Sequence, residues 1–255
     1  MGKIIAISNQ KGGVGKSTTA INLSACLAER LKKVLIIDLD PQGNTTSGLG
    51  IDRNEAEHTV YDLLEGGADV ETCQIRTEFG GLYVVPSNVD LAGAEIEMMD
   101  MQDREFLLKK ALADARKKYD YILIDCPPSL SLLTLNALCA SDSVLIPVQC
   151  EYYALEGLTQ LMKTVNLVKE RLNPDLSVNG IVFTMYDGRT NLSADVVKNV
   201  KDNLDVYVYK TIIPRNVRLA ESPSYGLPII RYDSHSTGAK SYRELAHEFV
   251  KRRKN

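Results

Sequence analysis

Gln10-Lys11-Gly12-Gly13-Val14-Gly15-Lys16-Ser17-Thr18 is the stretch that decides the fold of this 255-residue chain. An apolar segment, Lys3–Ser8, precedes it and is predicted to be a strand, and Ser17–Leu31 is predicted to be a helix. The glycines let consecutive backbone N–H groups approach phosphate oxygens, and the N-terminus of the helix adds partial positive charge. A strand, a glycine-rich loop and a helix in this order predict a phosphate-binding loop.

Three side chains of this loop carry the expected chemistry. Lys16 is placed to bridge terminal phosphates, Ser17 to bind Mg²⁺, and Thr18 to donate to an inner phosphate. The standard pattern GxxxxGK[ST] begins with glycine, where this chain has Gln10, and a second lysine, Lys11, stands at the entrance of the loop. Lys11 either adds charge near the phosphates or is a solvated lysine, and its spacing alone does not decide between the two.

Apolar runs typical of strands alternate with amphipathic stretches along the whole chain. This alternation predicts a doubly wound α/β fold, with a mostly parallel central sheet and helices on both faces, in a single domain over residues 1–255. Further strands are predicted at Lys33–Asp38, Leu82–Pro86, Tyr121–Asp125, Ser143–Pro147, Val178–Thr184 and Val206–Ile213. Further helices are predicted at Val60–Leu64, Asp103–Lys118, Ser131–Cys139, Tyr153–Arg171, Ser193–Leu204 and Gly238–Arg252.

Aspartates end two of the predicted buried strands. Asp38 and Asp40 close the segment that starts at Val34, and Asp125 closes Tyr121–Asp125 before two prolines. In an open α/β sheet, ligands lie beyond the carboxyl ends of the strands, so these carboxylates are expected near the phosphates and Mg²⁺. The alternative for the first pair is a structural role, in which the side chains cap the following loop.

Composition excludes several classes of protein. The formal charge of −3 and pI near 5.7 show no global basic field, so any nucleic-acid surface must be a local patch. Five scattered cysteines show no CxxC pair, which favours reduced, buried thiols over a metal site. The N-terminus enters a strand directly, and no apolar run has the length of a membrane span. We therefore expect a cytoplasmic protein.

Residues 11–18, Lys-Gly-Gly-Val-Gly-Lys-Ser-Thr, resemble the deviant Walker A motif of the ParA/MinD/Soj family. The resemblance extends from Lys3 to about Phe249 and is nearest to the short chromosomal ParA group, often called Soj. It implies a P-loop NTPase fold that binds ATP or ADP with Mg²⁺ and hydrolyses ATP slowly. It also implies a homodimer that sandwiches two ATP molecules, with Lys11 contacting nucleotide across the interface and Gly12 at the crossing point.

The same resemblance assigns roles to the other motifs. Asp40 positions or activates the attacking water, Asp38 helps to organise the Mg²⁺ shell, and Asp125 holds Mg²⁺ directly or through water. The loop Ile212–Val217 cradles the adenine, with Pro214 and Asn216 as candidates. Cys126, beside this site, is interpreted as a packed thiol and not a nucleophile, because no histidine is near it in the sequence.

The resemblance to Soj-like proteins also implies a nonspecific DNA surface, completed by dimerisation. Arg189, Arg218 and a basic residue near Arg252 are its expected contacts. A ParB-type centromere-binding partner would stimulate hydrolysis, and the protein would associate with the nucleoid. The alternative for the C-terminal basic cluster is a solvated helix end.

Two other function classes stay open at this point. One is a positioning ATPase of the same build with a protein cargo, and the other is a membrane-cycling regulator of MinD type. The membrane role needs an amphipathic helix beyond the domain, but the apolar stripe Tyr242, Leu245, Ala246, Phe249 and Val250 is what a packed final helix needs. We therefore predict no membrane partner.

Overall fold

The computed structural model describes residues 1–252, and its centre is a twisted sheet. Within these residues the sheet has seven strands in the order β3-β4-β2-β5-β1-β6-β7. Among the strand pairs of the described residues, only the pairing of β3 with β4 is antiparallel. The strands are β1 (Lys3–Ile7), β2 (Val34–Asp38), β3 (Ile75–Arg76), β4 (Leu82–Val85), β5 (Tyr121–Asp125), β6 (Ser143–Gln149) and β7 (Ser177–Thr184).

The central strands are apolar on consecutive residues because both faces of the sheet are covered. Alternate residues point to opposite faces, so Leu35 and Ile37 pack into one core and Val34 and Ile36 into the other. All five residues of β2 are buried. The predicted doubly wound α/β fold is confirmed, with one core above the sheet and one below it.

Helices supply both cover layers. Those packed on the face of Val34 and Ile36 include the first and last helices of the chain, and those on the other face include the long helices after β6 and β7. The helices are α1 (Lys16–Glu29), α2 (Asn44–Gly48), α3 (Val60–Glu65), α4 (Val70–Cys73), α5 (Leu91–Glu97), α6 (Leu107–Ala111), α7 (Leu132–Ala140), α8 (Ala154–Arg171), α9 (Asn191–Asn203), α10 (Val217–Glu221), α11 (Ile229–Tyr232) and α12 (Thr237–Arg252).

The predicted strand Val206–Ile213 is wrong. The segment runs along the edge of β7 but forms only isolated bridges with it. The short stretch from Ile181 to Phe183 on β7 lies against the longer stretch from Val208 to Ile213, so the two backbones do not stay in register. The extra residues loop out, and Glu248 of α12 accepts their backbone N–H groups, from Lys210 at 2.8 Å and from Thr211 at 2.9 Å. A side chain from a distant helix thus replaces the strand ladder.

The predicted helix Asp103–Lys118 is also wrong, because the segment breaks into short 3₁₀ turns around α6. Asn136 of α7 inserts its amide into the first turn. It accepts from the N–H of Leu108 at 3.1 Å and donates to the carbonyl of Arg104 at 2.7 Å. These two backbone groups would bond each other in a continuous helix, so the inserted amide ends it.

The last helix packs against the first. Tyr242, Leu245, Ala246 and Phe249 are at most 5% exposed, and the Tyr242 hydroxyl lies 3.2 Å from the Thr19 hydroxyl of α1. The apolar stripe of α12 is therefore used inside the fold, as predicted. Within residues 1–252, none of the helices combines the length and the apolar character needed to span a bilayer.

Candidate nucleotide site

The phosphate loop joins β1 to α1 and borders a cavity of about 400 Å³. Gly13 and Gly15 have φ angles of +75° and +87°, which glycine adopts without the steric cost other residues carry. The cavity is lined by loop residues Gly12, Gly13, Gly15, Lys16, Ser17 and Thr18, together with Asp40 from the turn after β2. These predicted residues therefore surround one space at the N-terminus of a 14-residue helix.

Two side chains that the sequence prediction missed hold this loop in place. Asn9 donates to the carbonyl of Pro147 on β6 at 2.7 Å and accepts from the N–H of Lys11 at 3.1 Å. Thr184, at the end of β7, donates to the carbonyl of Val14 at 2.8 Å. Val14 itself is 2% exposed, so its contribution to the loop is its backbone and a packed side chain. Strands on one side of β1 thus fix the loop at both of its ends.

The Lys16 ammonium points back into its own loop, where it donates to the carbonyl of Lys11 at 3.0 Å. Burial lowers the pKa of Lys16, and the nearby carboxylate of Asp125 opposes that shift. A buried cation held by one neutral carbonyl gains a much stronger partner when a phosphate enters the cavity. Lys16 is therefore placed to exchange that carbonyl for phosphate oxygens.

Asp38 and Asp125 form a buried carboxylate pair. The two residues are direct neighbours in the β2–β5 register, and both are fully buried. Asp38 accepts from the N–H and the hydroxyl of Thr46 at 2.8 and 2.7 Å, and Asp125 accepts from the hydroxyl of Thr45 at 2.7 Å. Burial, together with the neighbouring like charge, raises the pKa of Asp38 to about 7, and burial raises the pKa of Asp125 to about 6.

The donors at this point fit a magnesium ion. Asp125 Oδ1 is buried without a hydrogen bond of standard geometry, and the Ser17 hydroxyl lies beside that carboxylate and favours its charged form. Within residues 1–252, no three His, Cys, Asp or Glu side chains cluster as a metal site. Mg²⁺ characteristically uses one or two protein oxygens and completes its shell with water and phosphate. The arrangement therefore suits an ion that arrives with a nucleotide.

Asp40 lies at the mouth of the phosphate cavity, two residues after Asp38. It is 6% exposed, and its Oδ1 accepts from the N–H of Gln42 at 2.9 Å. The N–H of Asp40 in turn donates to Asp38 Oδ1 at 3.3 Å. The side chain thus has one oxygen fixed by its own turn while it faces the space where a terminal phosphate and water would lie.

A second cavity, of about 280 Å³, adjoins the first and shares Gly15, Thr18 and Met185 with it. Pro214 and Asn216, the candidates for the adenine loop, are among the residues that line it. The Asn216 side chain is already used, because it accepts from the N–H of Leu219 at 3.0 Å and donates to Thr237 at 2.7 Å. Base recognition through Asn216 would therefore use its backbone.

Lys11 does not line the phosphate cavity of its own chain. Its side chain is 44% exposed and forms an ion pair with Glu151, in the loop after β6. Beside it, Gly12 is exposed, and a Cβ added there would approach only Pro128, at 3.9 Å. The two residues thus present an open surface next to the cavity.

The three predicted DNA-contact arginines are not on one surface. Arg189 follows β7 at the carboxyl end of the sheet, is 87% exposed and pairs with Asp187 at 2.7 Å. Arg218, on α10, is 55% exposed and pairs with Glu221 at 3.0 Å. Arg252 lies by the opposite end of the sheet, in a cavity with Lys3, and its guanidinium stacks on Tyr207 at 4.0 Å. Residues 253–254 of the basic cluster lie outside the described residues.

All five cysteines are unpaired and buried, as expected. Burial raises the pKa of the Cys126 thiol far above its usual value, and the neighbouring charge of Asp125 adds to the shift. The thiol beside the phosphate cavity is therefore protonated at neutral pH, which agrees with its interpretation as a packed side chain.

Comparison with known proteins identifies the family. A family described as AAA domain matches residues 2–178. The sporulation initiation inhibitor protein Soj of Bacillus subtilis is 59% identical over 248 residues, which cover 97% of this chain and 98% of that protein. The chromosome-partitioning ATPase Soj of Treponema pallidum is 55% identical over 252 residues, covering 99% and 98%.

Solved structures extend the likeness to nucleotide-bound proteins. Cobyrinic acid a,c-diamide synthase from Mycobacterium smegmatis, with bound ADP and magnesium, has a TM-score of 0.89 and 38% identity, covering 100% of this chain and 96% of that one. The septum site-determining protein MinD from Pyrococcus horikoshii, complexed with Mg-ADP, has a TM-score of 0.81 and 30% identity, covering 99% and 100%. The chain therefore belongs to the ParA/MinD family of P-loop ATPases, which bind ATP with Mg²⁺ and hydrolyse it, and within that family it is close to Soj.

Proposed function

We propose that this ATPase is a partitioning protein whose ATP-bound dimer binds DNA without sequence preference. A ParB-type partner stimulates hydrolysis, and the ADP-bound monomers leave the DNA and rebind after a delay. Repetition of this cycle on the nucleoid moves a chromosome or plasmid origin. The names of its Soj and ParA relatives support the partitioning role, and the geometry of Lys11 supports the dimer.

The position of Lys11 carries the proposal. A lysine within a phosphate loop would be expected to line the phosphate cavity, as Lys16 does, but Lys11 lies outside it and half exposed. If its ion pair with Glu151 opens, the ammonium can serve a nucleotide held by another copy of the chain. Gly12 beside it has no side chain to obstruct a close approach of two loops.

Hydrolysis needs a positioned water and compensation of the charge that develops on the phosphate. In this proposal Asp40 positions the water, while Lys16 of the same subunit and Lys11 of the partner subunit stabilise the phosphoryl oxygens. Ser17 and Asp125 hold Mg²⁺, which neutralises phosphate charge when it is bound. Asp38, whose oxygens are engaged by Thr46 and Asp40, keeps the loop around the ion in place.

Arg189 and Arg218 supply the DNA contacts in this proposal. Both are exposed, and both form ion pairs with neighbouring carboxylates that exchange readily with a phosphate backbone. Dimerisation doubles the number of such contacts, so affinity for DNA rises with ATP and falls with salt. Arg252 lies at the opposite end of the sheet, and in this proposal it contributes less to the affinity for DNA than Arg189 and Arg218 do.

The test is binding of a random-sequence DNA duplex with ATP, with ADP and without nucleotide, at two salt concentrations. We expect DNA binding only in the presence of ATP. Higher salt, Arg189→Ala or Arg218→Ala should each weaken that binding. The matched control is Arg171→Ala, an exposed arginine at the end of α8. Absence of DNA binding in all conditions would refute the DNA role and favour a positioning ATPase with a protein cargo.

A further inference from the structure

The first turn of α2 carries two consecutive threonines, and each of them holds a different member of the buried carboxylate pair. Thr45 and Thr46 are both 0% exposed. The Thr45 hydroxyl donates to Asp125 Oδ2 at 2.7 Å, and the Thr46 hydroxyl donates to Asp38 Oδ2 at 2.7 Å. Because Asp38 and Asp125 are neighbours in the β2–β5 register, one short helix contacts the ends of both strands.

The Thr46 hydroxyl both accepts and donates, which fixes the direction of its hydrogen bonds. It accepts from the N–H of Ser87 at 3.0 Å, just after β4, so its own proton is left for Asp38. Asp38 Oδ2 also accepts from the N–H of Thr46 at 2.8 Å, and Asp38 Oδ1 accepts from the N–H of Asp40 at 3.3 Å. Three donors therefore hold the Asp38 carboxylate, and one of them is the backbone of Asp40.

These hydrogen bonds fix the turn that carries Asp40. Because Asp38 holds Asp40 with one oxygen and Thr46 with the other, both ends of residues 40–46 are tied to a single side chain. Within the turn, Gly43 passes close to Ser87, and a Cβ added to Gly43 would lie 2.9 Å from the Ser87 carbonyl oxygen. Loss of the Thr46 hydroxyl leaves the buried N–H of Ser87 without its acceptor and weakens the hold on Asp38, so the turn shifts and Asp40 shifts with it.

Thr45 acts on the other carboxylate. Its hydroxyl occupies Asp125 Oδ2, whereas Asp125 Oδ1 is buried without a hydrogen bond of standard geometry to any described residue. The Ser17 hydroxyl lies beside the same carboxylate. One oxygen of Asp125 is thus held by α2, and the other is left for an ion that Ser17 also contacts.

We propose that the two threonines are positioning residues with separate roles. Thr46 acts through Asp38 and keeps Asp40 in place for the attacking water, and Thr45 keeps Asp125 oriented towards Mg²⁺. Both roles rest on the functions proposed above for Asp40 and Asp125, and neither depends on DNA binding or on the dimer. A purely structural role would instead lower stability in both variants without separating hydrolysis from ion binding.

Thr46→Val tests the first role, because valine nearly keeps the shape of threonine and lacks the hydroxyl. We expect kcat for ATP hydrolysis to fall about tenfold or more, while the Kd of ATP stays within about twofold of wild type. Thr46→Ser should restore kcat. A wild-type kcat in Thr46→Val, when Asp40→Ala is slow, overturns the role of Thr46 alone. A wild-type kcat in Asp40→Ala refutes the proposed function of Asp40, and the role of Thr46 with it.

Thr45→Val tests the second role through metal binding. Mn²⁺, which takes the same oxygen ligands as Mg²⁺, is titrated into the protein–ADP complex and followed by electron paramagnetic resonance. We expect Thr45→Val to raise the Kd of Mn²⁺ about tenfold, and Thr45→Ser and Thr46→Val to leave it within about twofold of wild type. Equal Mn²⁺ affinity of wild type and Thr45→Val overturns the role of Thr45.

The matched control is Thr77→Val, which removes a buried hydroxyl far from the carboxylate pair. Thr77 is 8% exposed and donates to the carbonyl of Leu82 at 2.9 Å, at the amino end of β4. Thr77→Val should lower the free energy of unfolding in urea and leave kcat and the Kd of Mn²⁺ within about twofold of wild type. Alanine at positions 45 and 46, which cannot clash, should reproduce the valine results where a valine variant does not fold. Lower stability in all these variants, with kcat and Mn²⁺ affinity unchanged, would show that the threonines only stabilise the fold.

Discussion

Thr184→Val tests how the far strand of the sheet holds the phosphate loop. The Thr184 hydroxyl donates to the Val14 carbonyl at 2.8 Å, both residues are 2% exposed, and 170 residues separate them in the chain. Valine has nearly the same shape but no hydroxyl, so it leaves a buried acceptor unpaired, at a cost of about 1–3 kcal/mol. That free energy must appear in stability, in nucleotide affinity, or in both.

How this free energy divides between stability and nucleotide affinity depends on whether the phosphate loop relaxes. If the loop stays in place, the free energy of unfolding falls by the whole amount and ATP affinity is unchanged. If the loop opens to water, stability is retained and ATP must restore the cradle, which weakens its affinity about tenfold for each 1.4 kcal/mol. Urea unfolding and calorimetric ATP titration measure the two parts, and we expect their sum to be about 1–3 kcal/mol.

Thr184→Ser is the matched control, because it keeps the hydroxyl and removes only a methyl group. It should lower stability slightly through lost packing and leave ATP affinity at the wild-type value. A valine variant with both wild-type stability and wild-type ATP affinity would show that this hydrogen bond does not position the loop.

Three further outcomes follow from the structure. Asp40→Ala should keep ATP binding and lower the hydrolysis rate about a hundredfold or more, and an unchanged rate in a phosphate-release assay removes Asp40 from its role. Gly226→Ala should lower the free energy of unfolding by about 3 kcal/mol or more, because φ is +64° and the new Cβ would lie 2.5 Å from the Cα of Gly50. The control Gly66→Ala, where φ is +78° but the space around the new Cβ is open, should lower it by only about 1 kcal/mol. Equal melting temperatures of the two variants would contradict the steric argument. Burial raises the pKa values of Asp38 and Asp125, so between about pH 4 and pH 7 the folded protein without nucleotide holds protons that these carboxylates, with a pKa near 3.9, have lost in the unfolded chain. The free energy of unfolding should therefore fall as pH rises from about 4 to about 7. Asp125→Asn should make that fall less steep in thermal melts, and equal slopes for the variant and the wild type would contradict the pKa shifts.

The sequence predicts the features that local order determines. The phosphate loop is recognisable because its glycines, its lysine and its flanking strand and helix are contiguous. The buried strands around Ile36 and Leu123 are recognisable because a parallel sheet covered on both faces demands consecutive apolar residues. The carboxyl ends of such strands then locate the aspartates, without any knowledge of the rest of the chain.

The features that sequence reasoning missed depend on contacts between distant residues. Asn136 interrupts a predicted helix from 28 residues away, and Glu248 takes the N–H groups of a predicted strand from 38 residues away. Asn9 and Thr184 anchor the phosphate loop to residues 138 and 170 positions away. In each case a single polar side chain forms hydrogen bonds with backbone groups far away in the sequence, and no periodicity in the sequence indicates such contacts.

The most direct test of the central claim, that Lys11 serves the nucleotide of a second subunit, is the ATPase rate of mixed variants. Lys11→Ala and Lys16→Ala proteins are each expected to be nearly inactive alone. If Lys11 acts across the dimer, an equal mixture should recover about a quarter of the wild-type rate, because half of the dimers are mixed and each has one complete site. If the mixture is as inactive as its components although the two variants form mixed dimers, Lys11 does not act on the nucleotide of a second subunit.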